Sequence, residues 1–169
     1  MLPIKKIICP TDFSEPSFEA VKVAGELAAH FGSFLCLLHV VSVTPVLASP
    51  MLPTSFNINS YQKALEDDAR EKLQKIREDL IPADLHTCSP RVVSGFAPDE
   101  IIRMAEQEEA DVIVIATHGL TGWRHLIYGS VAERVVQLAP CAVLAIRPPN
   151  IKLQPDDIRQ TVMETKKLE

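Results

Sequence analysis

Three of the chain's six glycines, Gly119, Gly122 and Gly129, fall in one loop between a β-branched run and a helix start. Glycines in such a loop let backbone N–H groups approach a ligand closely. The helix that follows adds unpaired amides and partial positive charge at its N-terminus. The chemistry on offer is anion binding, above all of phosphate. Before the loop, Val112 to Ala116 is a continuous apolar run suited to a strand buried on both faces. After it, Ser130-Val131-Ala132-Glu133 has the capping-box form, with Ser130 placed to accept from the Glu133 amide. Neither G-x-G-x-x-G nor G-x-x-x-x-G-K-[ST] is present. Taken alone, the loop favours phosphate binding and is also readable as a glycine turn joining strand to helix.

Other residues with chemistry to offer lie far away in the chain. Pro10-Thr11-Asp12-Phe13-Ser14 closes an apolar run, and Asp12 suits either a ligand contact or a turn position. His39 and His118 sit near strand ends, where hydrogen-bonded structural histidines are common. Arg124 and His125 are the basic side chains between Gly119 and Gly129, and Trp123 beside them suits loop packing or a partner. Cys9, Cys36, Cys88 and Cys141 are too scattered for a metal or disulfide framework, which predicts reduced thiols and a cytoplasmic setting.

The elements that must position these residues alternate along the chain. Ile4 to Cys9 reads as the first strand. A helix from Ser14 follows, with Ala20, Val23, Ala24, Leu27, Ala28 and Phe31 on its apolar face and Gly32 as its stop. Phe34 to Val41 is the second strand. Residues 42–60, with Pro45, Pro50 and Pro53, have no usable period and read as a long loop. Tyr61, Leu65, Ala69, Leu73, Ile76 and Leu80 mark a second helix whose charged face is solvated. Cys88 to Ser94 is a third strand, and Pro90 within it points to a sheet edge. A proline-led helix with Ile101, Ile102 and Ala105 inward comes next, then the glycine loop, its helix, and a last strand, Cys141 to Ile146. Residues 149–169 form a polar tail, with Ile158, Val162 and Met163 marking a short helical period beyond the domain of residues 1–148.

Alternating strands and helices predict a parallel sheet with right-handed crossovers and helices on both faces, an α/β three-layer sandwich. With the Pro90 strand at one edge, the order 3-2-1-4-5 follows. Ligands of such folds bind where the chain reverses between strands 1 and 4, at the strands' carboxyl ends. The Pro10–Ser14 and Ala116–Ser130 loops meet there. At 169 residues, 47% hydrophobic content and net charge −5, one domain is expected, with no nucleic-acid surface. The N-terminus lacks the long apolar core of a signal peptide, and no apolar run reaches membrane-spanning length.

Pro10-Thr11-Asp12-Phe13-Ser14, Leu38-His39-Val40-Val41, Gly95-x-Ala-Pro, Thr117-His118-Gly119…Gly129-Ser130-Val131 and Ala139-Pro140-Cys141-Ala142-Val143-Leu144 together resemble the universal stress protein family over roughly residues 3–148. Nucleotide-binding members carry G-x2-G-x9-G-[ST]. Here Gly119, nine residues and Gly129-Ser130 match, while Ala116 replaces the first glycine. The resemblance implies an ATP or other adenine-nucleotide site with Mg²⁺. Pro10, Thr11 and Asp12 would line the nucleotide, Asp12 near ribose or metal, and the Val40 backbone would read adenine. Ala116, Thr117, His118 and Gly119 would wrap the phosphates from one side, and Gly129, Ser130 and Val131 from the other. It further implies a dimeric stress-response module. Independently, Val143, Leu144, Ala145 and Ile146 form an apolar edge suited to pairing with a second copy. A slow ATPase or nucleotidyl-transfer enzyme, and a member acting only through protein contacts, are the alternatives. No lysine lies in the glycine loop to favour phosphoryl transfer.

Overall fold

The computed structural model describes residues 4–42, 58–82, 85, 88–117 and 129–147. In chain order these form β1 (Lys6–Pro10), α1 (Glu15–Phe31), β2 (Phe34–Ser42), α2 (Ile58–Leu80) and β3 (Cys88–Gly95). Then come α3 (Ala97–Gln107), β4 (Val112–Ala116), α4 (Ser130–Leu138) and β5 (Ala142–Ile146). All strand pairings are parallel, and the order is β3-β2-β1-β4-β5, as expected. Pro90 lies on an edge strand, where a missing donor is tolerated.

The period-2 alternation of the central strands divides the core into two layers. Ile7, Cys9, Leu35, Leu37 and Val114 face α1 and α2, meeting Ala20, Val21, Ala24, Ala28, Leu73 and Ile76. Their neighbours Ile8, Cys36, Leu38, Ile113 and Ile115 face α3 and α4, meeting Ile101, Met104, Ala105, Ala132 and Val135. Both faces of the inner strands are therefore covered, which is why they read as continuous apolar runs. Cys9, Cys36 and Cys141 take part in no disulfide, and the first two are buried. No described helix is long and apolar enough to cross a membrane.

Local chemistry sets the helix ends. The Ser14 hydroxyl accepts from the Ser17 amide at 3.4 Å, and Pro16 sits in the first turn of α1. Gly32 ends that helix in the left-handed region (φ 65°), its N–H bonded to the Ala28 carbonyl. Three expectations need correction. Residues 58–60 are helical rather than loop, their period hidden because the first turn of α2 leaves Ile58 and Tyr61 exposed. On α3, Met104 joins Ile101 and Ala105 on the buried face, and Ile102 is half-buried. On α4, the cap is Gly129, not Ser130, and there is no capping box. Ser130 is already helical, and the Glu133 amide bonds the Gly129 carbonyl at 3.0 Å. The Gly129 amide is held by the Thr117 carbonyl at 2.6 Å, which fixes the helix start one residue early. Segments 43–57 and 148–169 lie outside the described residues.

Candidate functional site

A cavity of about 530 Å³ opens at the carboxyl ends of the strands. It lies at the chain reversal between β1 and β4, which are neighbours in the sheet. Pro10, Thr11, Asp12, Val40, Ala116, Thr117, Gly129, Ser130 and Val131 all line it. His118, Gly119, Trp123, Arg124 and His125 lie outside the described residues.

The floor of the cavity is built by strands of unequal length. β1 stops at Pro10, while β2 runs on to Ser42. The Thr11 amide bonds the Leu38 carbonyl at 2.9 Å, so Leu38 directs its backbone groups toward β1. Backbone directions alternate along a strand, so the Val40 carbonyl faces the same side, beyond the point where β1 has ended. One strand therefore offers a main-chain acceptor to the cavity. Ala116 is the last residue of β4, and its methyl belongs to the apolar layer facing α1 and α2. The extra carbon relative to glycine thus has a packing role there.

The Pro10–Ser14 turn forms a second wall and is braced by its own side chains. Asp12 Oδ1 accepts from the Ser14 amide at 3.1 Å and from the Ser14 hydroxyl. Thr11 Oγ1 accepts from the Phe13 amide at 3.1 Å and meets Ser17 Oγ at 2.8 Å. Phe13 takes a left-handed φ of 65°, uncommon for a residue with a ring. Its ring stacks on the His39 imidazole with centroids 4.1 Å apart. His39 Nδ1 lies 2.8 Å from the Thr11 carbonyl. Burial pushes the His39 pKa below its ordinary 6.5, against the opposing pull of the Thr11 carbonyl and Asp12.

The third wall is the N-terminus of α4. With the Gly129 amide committed to Thr117, the amides left without an intrahelical acceptor are those of Ser130, Val131 and Ala132. Gly129 therefore shapes this wall, and the donors belong to the residues after it. The amides and helix dipole favour an anion at this end.

Sequence reading missed the fourth wall. Leu65, Asp68, Ala69 and Lys72 of α2 line the cavity, as do Ala97 and Ile101 of α3. Lys72 Nζ pairs with Asp68 Oδ2 at 2.7 Å and lies 5.8 Å from the Phe13 ring centroid. Most of the charged face of α2 is the solvated surface expected, laced by pairs such as Arg70–Asp67 at 2.7 Å, while Glu66 Oε1 accepts from Ser94 Oγ at 2.8 Å. The available signal was positional: Asp68 and Lys72 flank the Leu65–Ala69–Leu73 stripe. Among the described residues, no cluster of His, Cys, Asp or Glu is arranged to hold a metal on its own.

Comparison with known proteins gives this arrangement a context. The model of the Universal stress protein family matches residues 3–147. The chain is 36% identical over 145 residues to the universal stress protein MJ0531 of Methanocaldococcus jannaschii, covering 86% of this chain and 83% of that protein. Among solved structures, it resembles the hypothetical protein MJ0577 with a TM-score of 0.75 and 28% identity, over 88% of this chain and 99% of that one. A universal stress protein solved in complex with cAMP shares the fold at a TM-score of 0.65 and 20% identity, over 86% and 98% of the two chains.

Proposed function

The chain belongs to the universal stress protein family, and from that premise we propose that it is an adenine-nucleotide-binding regulatory module acting as a homodimer. One observation carries the reading: nine of the eleven residues that the resemblance assigns to nucleotide contact, from four separate segments, line a single cavity. Its volume falls in the range of small-ligand sites. A protein of the same fold in complex with cAMP supports an adenine nucleotide as the ligand class.

In this reading the Val40 backbone takes the base edge, and Pro10, Thr11 and Asp12 border the ribose. The phosphates meet the amides of Ser130, Val131 and Ala132 at the positive end of α4. Ala116 and Thr117, together with His118 and Gly119 as the resemblance implies, would supply the facing arm, and Gly129 keeps the α4 wall free of a side chain. Mg²⁺ would be held chiefly by phosphate oxygens, with Asp12 as its candidate carboxylate from the protein. Its charge would neutralise part of the triphosphate.

The dimer would form through β5, which occupies a sheet edge and leaves Leu144 40% exposed. The Thr117 amide bonds the Ile146 carbonyl at 2.9 Å, so Ala142, Leu144 and Ile146 direct their backbone groups inward to β4. Val143 and Ala145 direct theirs outward, where a second copy would pair.

Nucleotide binding is tested by calorimetry with ATP and Mg²⁺. The wild type should bind, and Gly119→Val combined with Gly129→Val should weaken binding at least about 100-fold, a loss of roughly 2.7 kcal/mol. The circular dichroism of the folded protein should persist. Binding that survives both substitutions would place the ligand elsewhere.

A further inference from the structure

We propose that His39, Phe13 and Lys72 form a clamp that fixes the Pro10–Ser14 turn for its ligand, with His39 as the positioning residue. This rests on the nucleotide reading of the cavity. Phe13 is held at a φ of 65°, a conformation that persists in a ring-bearing residue only when its surroundings impose it. Two neighbours from different elements do so. The His39 imidazole, on β2, stacks on the ring at 26° between planes. Lys72, on α2, brings its ammonium within 5.8 Å of the ring centroid while tied to Asp68.

The same imidazole fastens the backbone. Its Nδ1 lies 2.8 Å from the Thr11 carbonyl, which can only accept, so Nδ1 carries the proton in this contact. The bonds of Phe13 and Ser14 to Thr11 Oγ1 and Asp12 Oδ1 are local to the turn. The Thr11 amide to Leu38 and the Thr11 carbonyl to His39 tie that turn to β2. His39 therefore contributes a side-chain link from the sheet to the loop beside the cavity. The charged groups facing it are Asp12 on the turn and Asp68 and Lys72 on α2.

The test combines amide hydrogen exchange of the ligand-free protein with ATP affinity, in wild type, His39→Ala and His39→Asn. Asparagine places an N–H donor where Nδ1 stood and has no counterpart of Nε2. In His39→Ala, exchange at Phe13 and Ser14 should rise about fivefold to tenfold, the scale of one lost hydrogen bond. Exchange at Ile8 and Ile113 should not change, which shows the core intact. ATP affinity should fall by a similar factor, and His39→Asn, which restores the hydrogen bond to Thr11 but not the stack on Phe13, should recover part of both losses. Unchanged exchange in His39→Ala would overturn the clamp, as would unchanged affinity in a protein whose turn has loosened. A failure of His39→Asn to recover affinity, with the turn restored, would make His39 a direct ligand contact instead. If the wild type binds no adenine nucleotide, the functional reading fails, and the exchange measurement still decides whether the clamp exists.

Discussion

The two ends of the sheet are built on opposite plans. At the amino ends, the strands are tied together tightly. Asp111 Oδ2 accepts from the Lys5 amide at 2.7 Å and from the Lys6 amide at 3.0 Å, and the Asp111 amide bonds the Lys6 carbonyl at 3.0 Å. Lys6 Nζ donates to the Glu108 carbonyl at 2.7 Å, and Ser33 Oγ to the Ile4 carbonyl at 2.7 Å. At the carboxyl ends, β1 stops while β2 continues, Phe13 is strained, and a cavity of about 530 Å³ remains. Chain reversal between β1 and β4 forces this asymmetry, because the crossovers leave those ends in opposite directions. One end can be optimised for stability. The other must keep backbone groups available for a ligand.

That contrast can be broken most directly by substitutions that should affect one end alone. Besides the glycine pair, which acts on affinity, Asp111→Ala should lower stability by about 1 kcal/mol, a modest value because the carboxylate is exposed. ATP affinity should stay within about twofold of wild type, the experimental scatter expected for a remote site. Denaturant unfolding and calorimetry on the same preparation check both. A large loss of affinity would mean that the ends are coupled.

Acid should separate the ends by pH window. Burial lowers the His39 pKa from 6.5, so the unfolded chain binds a proton more readily than the folded one. Stability from this group is present above about pH 6.5 and is lost as pH falls toward the lowered folded value. Asp111 is held below its ordinary 3.8 by the Lys5 and Lys6 amides. Its contribution is present above about pH 4 and is lost only as pH falls through its lower folded value. A stability profile of His39→Asn should flatten the upper window and leave the lower one, while Asp111→Asn should do the reverse.

The smallest expected effect on affinity comes from the sheet edge. Ala145→Pro removes an outward amide of β5 and should give monomers by light scattering with affinity near wild type. Leu144→Pro is the poorer probe, because it breaks the ladder to β4. An unchanged dimer in Ala145→Pro would rule out β5 as the interface.

Much of this was legible in the sequence because buried parallel strands and amphipathic helices write strong patterns. The order 3-2-1-4-5 followed from alternation and from Pro90, and Asp12 and Ser130 reached one cavity as the topology required. The misses have physical causes. Ser130 has the chemistry of a cap, but the bond from the Gly129 amide to Thr117 starts the helix one residue earlier. Lys72 and Asp68 looked like ordinary solvated charges, since only the packing of α2 shows which of its charged residues border the cavity. Strain at Phe13 carries no signature in residue type.

An amide-resolved titration with ATP and Mg²⁺ tests the central claim most directly. Shifts should concentrate at Thr11, Asp12, Val40 and Ser130 to Ala132, while Lys5, Lys6 and Asp111 stay in place. Absence of any shift at about 1 mM nucleotide, where even a weak site of roughly −4 kcal/mol is half filled, would contradict it. So would shifts confined to the amino ends of the sheet.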